Sequence, residues 1–231
     1  GVPKTIDNDL PITDHCPGFG SAAKYIATTL MEVAADAEVY PMKSVVIAEI
    51  MGRNAGWLTA AASLTRELGG SYAPQLIYLP EAVFDPEQFV EDVRRELDGS
   101  YAAESMQSGQ VDAFGHKYLA GVGKYLERLT ADRIGCKVRS LELSVMQRAA
   151  AHLQSATDLE EAVRAGEKAV EAMLRGDTRI MIAYRRISDA PYRITYETAP
   201  LGEVANVEHK IPRERINEAG NDVREELVRY L

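Results

Sequence analysis

The sequence predicts an α/β fold of three layers, in which a mostly parallel sheet is covered by helices on both faces. Two observations lead to this prediction. Short apolar runs alternate along the chain with longer segments whose apolar residues recur every three or four positions. Several of the short runs are apolar throughout, which is typical of strands that are buried on both faces.

Four runs predict the strands. The first is rich in β-branched residues, the second stops at a proline, the third alternates between apolar and polar residues, and the fourth is again apolar. Their bounds are residues 45–50, 76–79, 138–146 and 180–184.

Six amphipathic segments predict helices. Ser21 is a candidate cap of the first and Pro86 begins the third. Asp158 is a candidate cap of the fifth, which Gly176 closes. The segments are residues 21–38, 57–68, 86–97, 117–134, 158–174 and 219–230. Residues 99–116 are polar and contain glycine, and they predict no strand.

Composition places the chain among soluble globular proteins. It has 231 residues, of which 46% are hydrophobic and 26% charged, and its formal net charge is -9. The negative charge argues against nucleic acid as a partner, and no run is long and apolar enough to span a membrane. Cys16 and Cys136 lie far apart without metal-ligand spacing, so we expect free thiols in a reducing cytoplasm.

The first twenty residues predict a functional loop, because prolines and glycines interrupt them throughout. Asp7 and Asp9 are two carboxylates that can share one polar site, one as a base and one as a holder of charge or of a metal-bound water. Lys4 adds a cation that can clamp a phosphate. A turn cluster with a surface ion pair would use the same residues, so the segment by itself leaves both interpretations open.

The turn after the first predicted strand is a second candidate site. Open parallel sheets bind ligands in the loops that follow the carboxyl ends of their strands. Gly52 allows the backbone to come close to a ligand, and Arg53 and the start of the following helix both favour an anion. A turn that uses Gly and Arg only for packing and solvation would have the same sequence.

Two further loops carry charged residues. Glu81 follows the second predicted strand, where it either accepts hydrogen bonds from sugar hydroxyls or places a negative charge at the start of the next helix. Arg139 and Arg148 bracket the third predicted strand, where they either bind a phosphate together or form two solvated ends.

Taken together, these loops resemble those of the phosphofructokinase family. The run Pro-Lys-Thr-Ile-Asp-Asn-Asp is similar to the family's catalytic loop, and Met-Gly-Arg-Asn-Ala-Gly is similar to its sugar-phosphate loop. Two shorter runs follow in the family's order and at about its spacing, and a fifth resembles a stretch of the pyrophosphate-using branch. The five runs are residues 3–9, 51–56, 79–81, 147–148 and 112–117.

The resemblance implies roles for the catalytic loop. Asp7 would take the proton from the C1 hydroxyl of fructose 6-phosphate, and Thr5 would contact the transferring phosphoryl group. Asp9 would support the site and its Mg2+, whose main ligand is expected outside this sequence. Phosphoryl transfer needs mainly alignment and charge neutralisation, which carboxylates, cations and a metal can supply.

The resemblance also implies how the sugar phosphate is held. Arg148 would bind the 6-phosphate, joined by Arg139 from a neighbouring subunit of a homodimer or homotetramer. The sugar itself would be held by Met51, Gly52, Arg53 and Glu81.

Lys4 bears on the phosphoryl donor. Family members that use ATP usually have a small glycine there, whereas a lysine fills that space and offers its ammonium to the leaving phosphate. The resemblance thus implies a glycolytic phosphotransferase that makes fructose 1,6-bisphosphate from fructose 6-phosphate and pyrophosphate. An ATP-dependent 6-phosphofructokinase is the nearest alternative. The other is a non-catalytic, sugar-phosphate-binding regulatory subunit, which Val145 favours because the family usually has His or Tyr there.

On this resemblance, residues 1–231 form the sugar-phosphate-binding part of such an enzyme. Residues 1–20 would supply the catalytic loop, and residues 180–231 would return toward the phosphoryl-donor domain. The family's glycine-rich donor region, which precedes the catalytic loop, does not occur in the sequence. We therefore expect residues 1–231 alone to be inactive.

Overall fold

A computed structural model describes residues 1–39, 41–68, 74–98 and 121–231. It contains the following helices and strands in chain order: α1 (Phe19–Glu38), β1 (Ser44–Glu49), α2 (Trp57–Ala60), α3 (Pro86–Asp98), α4 (Val122–Ile134), β2 (Lys137–Glu142), α5 (Ala156–Leu174), β3 (Ile180–Asp189), β4 (Tyr192–Pro200), α6 (Leu201–Val204) and α7 (Glu225–Tyr230). Short 3-10 helices add Ala61–Arg66, Ser144–Arg148, Ala151–Leu153 and Arg213–Arg215.

The strands β1 and β2 pair in parallel, from Ser44 opposite Lys137 to Glu49 opposite Glu142. Helices cover both faces of this pair. Val45 and Ile47 pack against a core cluster formed by α3 and α4, whereas Ala48 packs against the larger cluster to which α1 contributes. The predicted α/β fold with helices on both faces of a parallel sheet is therefore confirmed.

The strands β3 and β4 form an antiparallel hairpin, from Ile180 opposite Pro200 to Asp189 opposite Tyr192. Its two faces are buried by different elements: Ile182 packs with α5, and Met181 packs with α6. The predicted strand 180–184 is the first half of β3. The sequence did not predict β4, because its residues alternate weakly and most are partly or fully exposed.

One predicted strand was wrong. Residues 76–79 form no strand in the structure. Leu76 and Tyr78 instead pack into the cluster of α3 and α4, and the Ile77 amide donates to the carbonyl of Asn221 at 2.8 Å. A short apolar run is selected by burial alone, and burial does not require a ladder partner.

Several predicted boundaries also differ. The helix expected over 57–68 is α2 followed by a 3-10 segment, and the strand expected to reach residue 146 ends at Glu142. The last helix begins at Glu225 instead of residue 219, because Gly220 takes a left-handed conformation with φ of 78° in the preceding turn.

The two predicted helix caps were wrong as well. The residue that caps α1 is Gly18, and the residue that caps α5 is Ser155. The predicted caps bond to each other across the two helices: the Ser21 hydroxyl donates to the Asp158 carboxylate, which also accepts from the Gly18 amide at 2.7 Å. Asp158, a residue type that often caps helices, therefore joins the starts of α1 and α5 instead of capping α5.

The remaining predictions concern cysteines, the membrane and residues that lie outside the described ranges. Cys16 is buried, Cys136 is partly buried, and both are free thiols as predicted. Among the described residues, no helix is both long and apolar enough to cross a bilayer. The start of the predicted helix 117–134, the polar stretch 99–116 and the run 112–117 lie outside the described ranges; α4 starts at Val122 within them.

Candidate functional site

The opening loop, which we define as residues 5–16, has no helix or strand and is shaped by side chains. The Thr5 hydroxyl accepts a hydrogen bond from the Asp7 amide at 3.1 Å, which closes a tight turn in front of the first carboxylate. Within the described part of the chain, Oδ1 of Asp7 is buried and has no hydrogen-bond partner. A buried carboxylate oxygen without a partner is costly unless a proton or a ligand completes it, so Asp7 is a candidate for contact with a ligand.

Three charged side chains come together at this loop. Burial raises the pKa of the Asp7 carboxyl above its usual range, and the negative charge of Asp9 raises it further. The Arg148 guanidinium opposes both effects. The structure therefore brings Arg148, which follows β2, close enough to act on Asp7. A carboxylate with a raised pKa is a better proton acceptor near neutral pH than an exposed one.

The residue between the two carboxylates is turned inward. Asn8 has φ of 58° and is 1% exposed. Its Oδ1 accepts from the Cys16 amide at 2.9 Å, and its Nδ2 donates to the Tyr230 hydroxyl at 3.0 Å. The sequence analysis missed both roles. The available signal was an Asn between two aspartates, since Asn enters the left-handed region more readily than most residues.

The loops after β1 and β2 meet at the carboxyl edge of the parallel pair. Gln147 is 2% exposed, and its Oε1 accepts from the Met51 amide at 3.0 Å. Its Nε2 donates to the Ser144 carbonyl at 3.1 Å. One buried amide thus holds the Met-Gly-Arg turn against the segment that carries Arg148. The sequence analysis included Gln147 in a family-like run but did not predict that its side chain holds this turn.

Gly52 is required by the shape of its turn. It has φ of 115°, and a Cβ placed there would lie 2.4 Å from the carbonyl oxygen of Ala55. Both the conformation and the contact exclude any other residue without movement of the backbone. The backbone itself therefore forms this part of the site.

Glu81 holds the same turn from the other side. Its Oε1 accepts from the Gly56 amide at 2.9 Å and from the Ile211 amide at 3.0 Å. Its Oε2 is buried and has no partner among the described residues. The carboxylate therefore braces two segments and has one acceptor oxygen that no described group uses.

Of the four cations predicted to act at the site, three are unpaired among the described residues and one, Arg139, is not. Lys4, Arg53 and Arg148 are exposed, and no ion pair engages them within the described ranges. Arg139 pairs with Asp36 at 3.4 Å, and β2 continues for three residues beyond it, so it lies about 10 Å from the carboxyl end of the strand. The single chain brings Arg148 to Asp7 and does not bring Arg139 there; its phosphate role remains a prediction.

Two carboxylates at one loop are a partial set of ligands for a hard cation. No group of three or more His, Cys, Asp or Glu side chains that could hold a metal occurs among the described residues. Mg2+ commonly takes only one or two protein carboxylates and completes its shell with water and substrate phosphates. Asp9 is the carboxylate of this loop that fits that pattern, because the buried, unpaired oxygen belongs to Asp7.

Comparison with known proteins identifies the family. Residues 1–173 match the family model described as phosphofructokinase. The chain belongs to the phosphofructokinase family. The opening loop, the Met-Gly-Arg turn and Arg148 all lie within the matched region.

Several of the curated relatives are named as pyrophosphate-dependent enzymes. The pyrophosphate–fructose 6-phosphate 1-phosphotransferases of Halomonas elongata and Methylococcus capsulatus are each 42% identical over 249 residues, covering 100% of this chain. A solved pyrophosphate-dependent phosphofructokinase from Marinobacter aquaeolei matches with a TM-score of 0.84 and 38% identity over 100% of this chain. The chain spans 58% of the length of each of these relatives.

Proposed function

We propose that the protein containing this chain transfers a phosphoryl group from pyrophosphate to the C1 hydroxyl of fructose 6-phosphate. The observation that carries the proposal is the Asp7 carboxylate. It has a raised pKa and a buried, unpaired oxygen, and it lies beside Asp9 and Arg148 in a phosphofructokinase loop. The names of the relatives supply the two substrates.

In this proposal Asp7 is the general base. Its free carboxylate oxygen accepts the proton of the C1 hydroxyl while the C1 oxygen forms a bond to the transferring phosphorus. The bond between that phosphorus and the bridging oxygen of pyrophosphate breaks, and inorganic phosphate leaves. Thr5, whose hydroxyl is already directed at the Asp7 amide, lines the path of the transferring group. The product is fructose 1,6-bisphosphate.

The loops at the carboxyl edge hold the sugar phosphate. The Gly52 turn brings the backbone against the sugar, with Met51 and Arg53 on either side. The unpaired Oε2 of Glu81 accepts a hydrogen bond from a sugar hydroxyl, and Arg148 neutralises the charge of the 6-phosphate. The relatives and the Met-Gly-Arg turn support this arrangement, and Arg139 would join it from a neighbouring subunit.

Asp9 would hold the Mg2+ of this site, which leaves Asp7 free to act as the base. The cation would neutralise the charge that develops on the transferring group and the leaving phosphate. Asp9 would contribute oxygen ligands, and water and the phosphates of the substrate would complete the shell.

Lys4 would select pyrophosphate. It is exposed, without an ion-pair partner among the residues that the structure describes, and three residues from Asp7. An ammonium there can bind the leaving phosphate and occupies space that a nucleotide would need. The relatives that share this donor support the choice, and ATP remains the second candidate because an ATP-dependent enzyme is also among the relatives.

The test is an assay of the full-length protein with pyrophosphate and with ATP. We expect turnover with pyrophosphate only. Asp7→Asn should lower kcat by about 10²–10⁴-fold, the range for loss of a general base. Asp132→Asn, an exposed position on α4, is the matched control for loss of one carboxylate and should retain activity. Lys4→Gly should lower kcat/KM for pyrophosphate by about 10–100-fold.

Each alternative predicts a different result. An ATP-dependent enzyme would turn over with ATP and not with pyrophosphate. A regulatory subunit would bind fructose 6-phosphate in a calorimeter and turn over with neither donor. Normal turnover by Asp7→Asn would refute the base assignment whichever donor is used.

We also propose that the full-length protein is cytoplasmic and forms a homodimer or homotetramer. A net charge of -9 supports solubility, and a second subunit would be needed to bring an Arg139 to the 6-phosphate. Light scattering of the purified protein measures the oligomer directly, and a monomer that is active at all concentrations would rule it out.

A further inference from the structure

Within the described residues, no hydrogen bond of its own fixes the direction of the Asp7 side chain. Its Oδ1 has no partner in the described chain, and the Thr5 hydroxyl restrains only its amide. The orientation of the carboxylate therefore depends on the backbone on either side, and the next residue is Asn8. Rotation of the peptide at Asn8 would swing Asp7, whereas Asp9 is also held at its carbonyl, which accepts from the His209 amide at 2.7 Å.

Asn8 is fixed by bonds to two distant segments. Its left-handed backbone places the side chain inside the protein, where it accepts from the Cys16 amide and donates to the Tyr230 hydroxyl. The first bond closes the loop on itself across eight residues, and the second reaches a residue 222 positions away. The Tyr230 hydroxyl in turn donates to the Asp14 carbonyl, so it joins both ends of the loop.

Tyr230 is itself held independently of its hydroxyl. Its ring centroid lies 5.2 Å from that of Trp57, and the guanidinium carbons of Arg186 and Arg215 lie 4.9 and 5.5 Å from the ring centroid. Arg186 also donates to the Tyr230 carbonyl at 3.0 Å. These ring and backbone contacts do not involve the phenolic oxygen, so a phenylalanine would preserve them.

We propose that Tyr230 and Asn8 are positioning residues, which together fix the direction of the Asp7 carboxylate through the backbone of the opening loop. This inference rests on the proposed role of Asp7 as the base. Neither residue needs to contact substrate. Reorienting a catalytic group by a fraction of an ångström is enough to slow a reaction that depends on alignment.

The first test is Tyr230→Phe in the full-length protein. We expect kcat to fall about tenfold, with KM for fructose 6-phosphate changed by less than about twofold, because the base moves and the Met-Gly-Arg turn does not. Tyr78→Phe is the matched control: it removes a tyrosine hydroxyl that donates to Asp92 at 2.9 Å in the other core cluster. It should leave both constants near those of the wild type.

The second variant is Asn8→Gly, which keeps the left-handed backbone accessible and removes both side-chain bonds. We expect a larger fall in kcat than for Tyr230→Phe. The double variant should be no worse than Asn8→Gly alone, because the two residues act through one connection. Independent, multiplicative losses in the double variant would overturn the proposal.

A third measurement does not depend on activity. The Cys16 thiol is fully buried at the far end of the Asn8 bond. Its rate of alkylation, followed by mass spectrometry, should rise about tenfold in Asn8→Gly and in Tyr230→Phe and stay unchanged in Tyr78→Phe. Slow alkylation with unchanged kcat in Tyr230→Phe would overturn the proposal, as would an equal loss of kcat in Tyr78→Phe.

The alkylation rate also separates this proposal from the proposed function. If the wild-type protein turns over with neither donor, the function fails, whereas faster alkylation in the two variants still supports the connection between Asn8, Tyr230 and the loop. If the wild type is active and alkylation and kcat are both unaffected by the variants, the connection fails alone.

Discussion

The opening loop and the β3–β4 hairpin are neighbours that are stabilised in different ways. The hairpin is held by a ladder of main-chain hydrogen bonds that begins at Ile180 and ends at Asp189. Almost any residue can take part in such a ladder, because its side chain is not involved. The loop has few main-chain bonds to other described segments: the Asp14 amide donates to the Tyr184 carbonyl at 2.8 Å, and the His209 amide donates to the Asp9 carbonyl at 2.7 Å. Most of its other contacts are made by buried polar side chains. Individual side chains should therefore matter more in the loop than in the hairpin.

The largest effect on the free energy of unfolding is expected at His15, which is buried between two carboxylates. Its ring nitrogens lie 2.9 Å from Asp14 and 2.9 Å from Glu161, and Arg186 contacts the same Asp14 carboxylate. Burial lowers the pKa of His15, but the bonds to Asp14 and Glu161 outweigh it and raise the pKa to about 9. A histidine whose folded pKa is raised stabilises the protein below pH 6.5 and loses that contribution as the pH rises toward 9.

We therefore expect the unfolding free energy of the full-length protein to fall by about 3 kcal/mol between pH 6.5 and pH 9 because of this residue. Urea titrations at several pH values measure it. His15→Gln should lack this part of the pH dependence, whereas His152→Gln, at an exposed position, should keep it. A pH dependence that is the same in all three proteins would contradict the prediction.

A smaller effect is expected at Gly52, which extends the comparison to the turn after β1. Gly52→Ala should destabilise the protein by about 2 kcal/mol, because the new Cβ meets the Ala55 carbonyl oxygen in a left-handed conformation. Calorimetric titration should also show weaker binding of fructose 6-phosphate.

The matched control for that substitution should change the free energy of unfolding in the opposite direction. Gly166 lies in α5, and a Cβ there meets nothing within 4 Å. Gly166→Ala should stabilise the protein by about 0.8 kcal/mol, since alanine favours a helix interior. If both substitutions destabilise equally, the strain assigned to Gly52 is wrong.

The smallest effect is expected in the hairpin. Arg185 and Glu197 form an ion pair across its strands at 3.1 Å, but the two side chains are 67% and 49% exposed. Solvent screens such a pair, so Arg185→Ala should change the unfolding free energy by less than about 0.5 kcal/mol. A loss as large as that at Gly52 would show that the hairpin also depends on single side chains.

Much of the site could be predicted from the sequence, because its residues are either local in the chain or lie at strand ends. Asp7 and Asp9 are two positions apart, and the turn at Gly52 and the segment at Arg148 follow two strands that pair in parallel as expected. What could not be predicted were the groups that join these loops. Gln147 was identified only as part of a motif, and no periodicity or spacing indicates that its amide reaches Met51.

The secondary structure shows the same division. Periodicity located α1, α3 and α5 to within a few residues, since burial of one face alone produces that pattern. It failed for the run that contains Ile77, where burial was predicted and pairing was absent. It also failed for β4, where pairing exists with little burial.

The sequence by itself determined the fold class, the family and the carboxylates of the opening loop, because local pattern and short motifs carry those properties. Only the tertiary structure decided how the loop is held. Asn8 bonds to Tyr230 and His15 bonds to Glu161, across separations of 222 and 146 residues. Hydrogen bonds between such distant positions arise from packing, and a linear pattern contains no signal for them. The carboxylate of Asp7 could be predicted from the sequence, whereas the residues that set its direction could not.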